Sequence, residues 1–147
     1  MTDRPSEDAA PRLSDFPFRT FDTIRYADTD RQGHVNNAVF ATFVETGRCA
    51  FLYDPDAPLA AVGAAFVIAE LTLRFRAEIV WPGRVEIGTG VVRVGNSSIG
   101  LSHALFQDGR LKATAEAVVV QTDETSRRPR PLSDAAKAFL ERYRIDG

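Results

Sequence analysis

One stretch of this chain changes the period of its apolar residues, and that change constrains the fold more than any other feature. Phe40, Phe43, Val44, Gly47 and Phe51 fall at i, i+3, i+4, i+7 and i+11, one face of a helix. Asn36 or Asn37 is a natural N-cap for it, and Asp54-Pro55-Asp56-Ala57-Pro58 ends it. A Gly in a helix interior costs about 1 kcal/mol relative to Ala. The place of Gly47 on the apolar face therefore predicts close approach to a sheet beneath.

Everything around this helix reads as strand. Phe18 to Ala27 alternates ahead of it. A long β-prone run from Ala65 to Val80 follows it, closed by Trp81-Pro82-Gly83. Arg84 to Val94 then alternates, with Val85, Ile87, Thr89 and Val91 on one side. Gly95-Asn96-Ser97-Ser98 is a turn or bulge, Ile99 to Gln107 a strand, and Asp108-Gly109 a hairpin signal. Leu111 to Thr122 places Leu111, Ala113, Ala115, Ala117 and Val119 on one face. A short helix is expected from a Ser133 N-cap to about Arg144.

This order predicts an α+β fold, an antiparallel sheet wrapped around one long central helix. One helix hides one sheet face, so an edge strand and the outer face remain as surfaces for pairing with a second copy. The 147 residues suit a single domain. Residues 1–15 lack periodicity and read as a flexible tail, which leaves 16–147 as that domain.

Composition removes several classes of function. A formal net charge of -2 argues against bulk nucleic-acid binding, which wants a basic face to meet phosphates. No apolar run approaches the roughly 20 residues that span a bilayer. The N-terminal MTDRPSEDAAPR lacks the apolar core of a secretory leader, and a cytoplasmic protein is expected. Cys49 is the only cysteine, so no intrachain disulfide can form. With only His34 and His103 beside it, a Cys/His zinc site is not expected, and Cys49 reads as a packing residue.

The densest polar segment runs from Arg25 to Asn37, between the first strand and the helix. A carboxylate there can activate water or attack an acyl carbon. The free N–H groups of the helix N-terminus can receive the developing oxyanion. Asp30 fits the first task by position. It equally fits a loop carboxylate that closes an Asx-turn or caps the helix.

Asp30-x-x-Gly33-His34-Val35-Asn36-Asn37, followed by a helix with Glu45-x-x-Arg48, resembles the hotdog-fold acyl-CoA thioesterases of the 4-hydroxybenzoyl-CoA thioesterase type. The resemblance covers about residues 18 to 135, including the Asp108-Gly109 hairpin and the Thr125-x-Arg127-x-Pro129-x-Pro131 exit. It implies a hotdog fold and hydrolysis of acyl-CoA to a free acid and coenzyme A. It implies no metal and no cofactor, coenzyme A being part of the substrate. It also implies a homodimer or homotetramer with the site at the subunit interface, and neither nucleic-acid binding nor membrane insertion.

By the same resemblance Asp30 is the general base or nucleophile, and the Asn37 backbone N–H polarises the thioester carbonyl. His34 contacts the thioester or orients water. Gly33 and Asn36 become substrate-binding candidates, and so do Ser97 and Ser98, which follow a turn that in relatives lies near the pantetheine channel. Glu45 holds a helix position where another branch carries its catalytic Glu. Its plainer reading is an i,i+3 pair with Arg48, worth a few tenths of a kcal/mol. Arg74, Arg76, Arg84 and Arg93 are candidates for coenzyme A phosphates.

Three rivals share the fold. An acyl carrier protein thioesterase would need a basic docking face. A hydratase would place Asp and His five apart, whereas Asp30 and His34 are four apart. A non-catalytic acyl-CoA-binding module would lack the carboxylate that Asp30 supplies.

Overall fold

The computed structural model describes residues 10–146. Its strands are β1 (Phe18–Thr23), β2 (Ala64–Phe75), β3 (Arg84–Val94), β4 (Ser98–Gln107) and β5 (Arg110–Asp123). Its helices are α1 (Asn37–Leu52) and α2 (Asp134–Glu141). The strands form one sheet in the order β1-β3-β4-β5-β2, antiparallel at every junction. A cross-sheet row shows the register: Thr89 pairs with His103, His103 with Ala115, and Ala115 with Leu73.

α1 lies on one face of this sheet. Phe40, Phe43 and Val44 pack with Ile24, Val35, Ile79, Val85, Ile87 and Leu105. Further along, Phe51 and Leu52 pack with Val91, Ile99, Leu101 and Leu140. Each such fully buried side chain contributes about 1.5–3 kcal/mol of transfer free energy. Gly47 is where helix and sheet come closest. A Cβ built there would lie 2.5 Å from Ile87 Cγ2 and 3.2 Å from Thr89 Oγ1. The Asp22 carboxylate accepts the Thr46 hydroxyl at 2.7 Å and ties α1 to β1.

The outer face is covered partly by the chain's own ends. Phe16, Ala104 and Phe106 are buried there, with Leu13, Leu111 and Ile145 against them. Gly88 and Gly90 leave the room: a Cβ at either would fall 2.5 Å from Phe16 or 2.6 Å from Ile145. Of the tail expected over residues 1–15, residues 1–9 lie outside the described residues, and Leu13–Asp15 form a 3-10 turn.

Three element ends differ from the sequence reading by more than one residue. β1 stops at Thr23 rather than Ala27, because Tyr26–Asp28 wind into a 3-10 turn whose start is fixed by the Arg25 N–H donating to Asp28 Oδ2 at 2.8 Å. β2 stops at Phe75 rather than Val80, because the Arg76 and Ala77 amides both donate to Lys112 O and the ladder ends there. α2 stops at Glu141 rather than about Arg144, and the chain then returns to β3 as Ile145 N–H donates to Val91 O at 2.9 Å.

One polar island sits inside the apolar layer. Thr89 Oγ1 and His103 Nδ1 are hydrogen-bonded at 2.9 Å, both side chains fully buried. Arg48 Nη1 and His103 Nε2 are buried without a hydrogen-bond partner among the described residues. Burial first, and then the Arg48 charge, push the His103 pKa down to about 3, so His103 is neutral at physiological pH.

Candidate active site

The polar segment between β1 and α1 is a tight, self-bonded loop. Asp30 N–H donates to His34 O at 2.7 Å, and Gly33 N–H to Asp30 O at 3.1 Å. Gly33 has a φ of 79°, the left-handed conformation that a side chain disfavours. Thr29 and Val35 then pair as an isolated bridge. The loop leads directly into the helix.

The two carboxylates of this segment have opposite surroundings. Asp28 is 3% exposed. It accepts the Arg25 N–H and pairs with the Arg25 guanidinium at 2.9 Å. Burial alone would raise the Asp28 pKa. The Arg25 hydrogen bonds and charge outweigh burial and hold it below the ordinary carboxylate value. Asp28 is thus spent on the loop. Asp30 is exposed in this chain. Its Oδ1 accepts the Gln32 and His34 amides at 2.8 and 3.1 Å. Its Oδ2 has no hydrogen-bond partner among the described residues. The Asx-turn is therefore present, and it occupies one oxygen only.

The helix start divides its labour in the same way. Asn36 is the N-cap, its Oδ1 accepting the Ala38 amide at 3.0 Å. Val39 N–H donates to Asn36 O at 2.9 Å. Between them the Asn37 N–H finds no acceptor among the described residues. Unbonded first-turn amides at the positive end of a helix attract anions and developing oxyanions.

Asp30, His34 and Asn37 line one cavity of ≈ 340 Å³, together with Phe40, Phe75, Arg76 and Glu78. The Phe40 and Phe75 rings meet edge to face at 5.0 Å and give it an apolar wall. His34 Nε2 lies 3.2 Å from Glu78 Oε2. Glu78, Phe75 and Arg76 come from the end of β2 and the segment after it. No local sequence signal marks Glu78 or Phe75 as site residues. A larger depression of ≈ 910 Å³ lies on the outer face between the chain ends, and none of Asp30, His34, Asn37 or Glu45 lines it.

Other candidates lie elsewhere. Glu45 does not line the cavity; it pairs with Arg48 at 3.5 Å, two turns down α1. Gly33 and Asn36 shape the loop and the cap rather than line the cavity. Ser97 and Ser98 sit at the β3–β4 turn, where Ser97 O accepts the Gln121 amide and Ser98 Oγ accepts from Arg93. Of the four arginines considered for phosphates, Arg76 alone lines the cavity. Arg74 pairs with Glu116, and Arg84 pairs with Glu86 and lies over the Phe21 ring. Burial raises the pKa of the Cys49 thiol, which suits packing rather than nucleophilic use. Among the described residues no three His, Cys, Asp or Glu side chains are grouped to hold a metal ion.

A sequence model of the thioesterase-like superfamily matches residues 24–140, which takes in the loop, the helix and four of the five strands. The chain belongs to the thioesterase-like superfamily. Its fold agrees with solved structures. The PA5185 protein of Pseudomonas aeruginosa strain PAO1 is similar with a TM-score of 0.82 and 25% identity, over 92% of this chain and 96% of that one. A predicted thioesterase from Bacillus stearothermophilus gives 0.79 and 27%, over 88% and 98%. A thioesterase from Thermus thermophilus, complexed with coenzyme A and Zn, gives 0.74 and 29%, over 85% and 98%. No curated protein matches significantly. The chain is a hotdog-fold thioesterase, and no helix among its described residues is long and apolar enough to cross a membrane.

Proposed function

We propose that this thioesterase hydrolyses acyl-CoA, releasing a free carboxylic acid and coenzyme A, as the 4-hydroxybenzoyl-CoA thioesterase type does. One observation carries the reading: Asp30, whose carboxylate has a free oxygen, and Asn37, whose helix-terminal amide is unbonded, line the same cavity. Asp30 Oδ2 takes a proton from water as that water attacks the acyl carbon, or attacks the acyl carbon itself. The carbonyl oxygen gains charge against the Asn37 N–H. The C–S bond then breaks, and the thiolate leaves and is protonated. On the first route the acid carries the oxygen of water; on the second the acyl–Asp30 anhydride left behind is hydrolysed by water, which frees the acid and restores the carboxylate. His34 contacts the thioester or orients water, and Phe40 and Phe75 receive the apolar part of the acyl group. Arg76 is placed for a coenzyme A phosphate at the rim. The reaction as proposed uses no metal and no cofactor.

The working unit is proposed to be a dimer or larger. β2 pairs with β5 along one side, and its other side is an unpaired sheet edge among the described residues. Val67, Ile68, Leu71 and Phe75 are exposed along it. A long edge strand rich in apolar residues is a surface that natural proteins cover. A second copy paired edge to edge would cover it and bring partner residues beside Phe75, a cavity wall. Light scattering at micromolar concentration should give at least two chains. An active species of 16.2 kDa would sink this part of the reading.

The activity is tested with a thiol-detecting dye and a panel of short, long, branched and aromatic acyl-CoA thioesters, beside matched acyl carrier protein thioesters. Thiol release from at least one acyl-CoA is expected. Cleavage of carrier-protein thioesters alone would replace the substrate class. Tight acyl-CoA binding with no release would make the chain a binding module.

A further inference from the structure

The cavity wall formed by Ala77 and Glu78 is not part of a strand. Residues 76–81 leave the sheet after β2 and precede β3, so their backbone groups need partners outside a regular ladder. Val80 finds both of its partners on one side chain. Gln107 Oε1 accepts the Val80 amide at 3.1 Å, and Gln107 Nε2 donates to Val80 O at 2.7 Å. Gln107 ends β4 and is 6% exposed. The clamp uses both halves of a carboxamide, one acceptor and one donor. A carboxylate could keep only the first bond, and an apolar side chain neither.

The clamped segment touches the reactive loop through its backbone and through one side chain. Ile79 O accepts the Val35 amide at 2.8 Å, a bond that forms part of the isolated bridge between His34 and Val80. Glu78 Oε2 lies 3.2 Å from His34 Nε2. The peptide that joins His34 to Val35 is therefore bonded to a residue adjacent to the one Gln107 grips, and the His34 ring lies beside the carboxylate two residues before it.

We propose that Gln107 is a positioning residue for thioester hydrolysis: by clamping Val80 it fixes the segment that seats His34 beside Asp30 and the helix N-terminus. The proposal rests on the acyl-CoA thioesterase reading above. Gln107 touches no reacting atom. It acts through Val80, Ile79 and Glu78.

The experiment compares wild type, Gln107→Leu and Gln107→Glu in the full chain by thermal melting, imidazole NMR and steady-state kinetics with an acyl-CoA that wild type cleaves. The chain has 2 histidines, so His34→Gln assigns both sets of ring signals. The His34 signals should move in both variants while those of the buried His103 stay. kcat should fall, by up to about 10²-fold for a misplacement near 1 Å, with KM little changed. If Gln107→Leu does not fold, Gln107→Glu, which keeps one bond, carries the comparison. A folded variant with unmoved His34 signals overturns the proposal, and so do moved signals with wild-type kcat. A wild type that cleaves no acyl-CoA defeats the functional reading instead, and the His34 signals still decide the placement.

Discussion

The His34 amide donates to Asp30 through one carboxylate oxygen, Oδ1, at 3.1 Å. The same oxygen accepts the Gln32 amide, so the loop is closed without using Oδ2. One residue can thus hold the turn and still keep one carboxylate oxygen free.

Asp30→Asn should separate these two uses. Its side-chain oxygen can still accept the two amides, so the melt should stay close to wild type. The base or nucleophile is lost, which typically lowers turnover by about 10²–10⁴-fold for a base and more for a nucleophile. Glu45→Gln should stay near wild type, because Glu45 pairs with Arg48 away from the cavity. Inactive Glu45→Gln beside active Asp30→Asn would transfer the role to the helix carboxylate.

Asn37 offers a backbone donor, so its side chain should matter less than its N–H. Asn36, not Asn37, caps the helix. Asn37→Ala should therefore be mild in both kcat and melting temperature. Asn37→Pro removes the donor at the first helical position, where Pro is well tolerated. Loss of one oxyanion donor typically costs about 10²–10³-fold in kcat. Equal turnover of the two variants, both melting like wild type, would remove this amide from the mechanism.

Gly47→Ala should destabilise, against the helix propensity of Ala. The new Cβ would fall 2.5 Å from Ile87 Cγ2, and α1 or Ile87 must shift. Overpacking of this kind costs about 1–3 kcal/mol, more than the roughly 1 kcal/mol that Ala gains in a free helix. Urea unfolding measures the sign, and a stabilised variant would refute the close approach.

His103 should make the fold acid-sensitive. Its pKa of about 3 in the folded state lies below the roughly 6.5 of an unfolded chain. Below about pH 6.5 the unfolded state binds the extra proton, so stability is complete above that value and falls as pH drops toward 3. Each pH unit within the window removes about 1.4 kcal/mol. Between about pH 7 and 5 the loss should be roughly 2 kcal/mol in urea titrations. His103→Leu should flatten that slope, whatever it does to absolute stability. An unchanged slope would place the titrating group elsewhere.

The sequence revealed what local periodicity and short motifs control. All five residues of the helix face are buried, including Gly47 against Ile87. Asn36 and Ser133 are caps, with side chains that accept the Ala38 and Ala136 amides. The Asp108-Gly109 hairpin joins β4 to β5, with both residues at positive φ. What stayed hidden depends on where distant segments meet. Glu78 reaches His34 only because the β2 ladder stops at Phe75 and the chain bends toward the loop, a break set by Lys112 O across the sheet. Asp28 and Asp30 look alike in sequence, and only the 3-10 turn directs one to Arg25 and the other to the cavity. Arg76, just past the end of β2, stands out from the strand arginines Arg74, Arg84 and Arg93 for the same non-local reason.

The glycine notches of β3 have a topological consequence. Gly88 and Gly90 sit two residues apart on one face and receive Phe16 and Ile145, which brings the start and finish of the described chain to neighbouring sites, about 7 Å apart along a strand. From Phe16 to Ile145 the backbone therefore traces an almost closed circuit. A short linker bridging the ends could turn it into a ring that is reopened at the exposed Asp108-Gly109 tip. Such a permuted chain would keep every strand neighbour and the loop between β1 and α1, while its new ends lay at the far side of the β4–β5 hairpin.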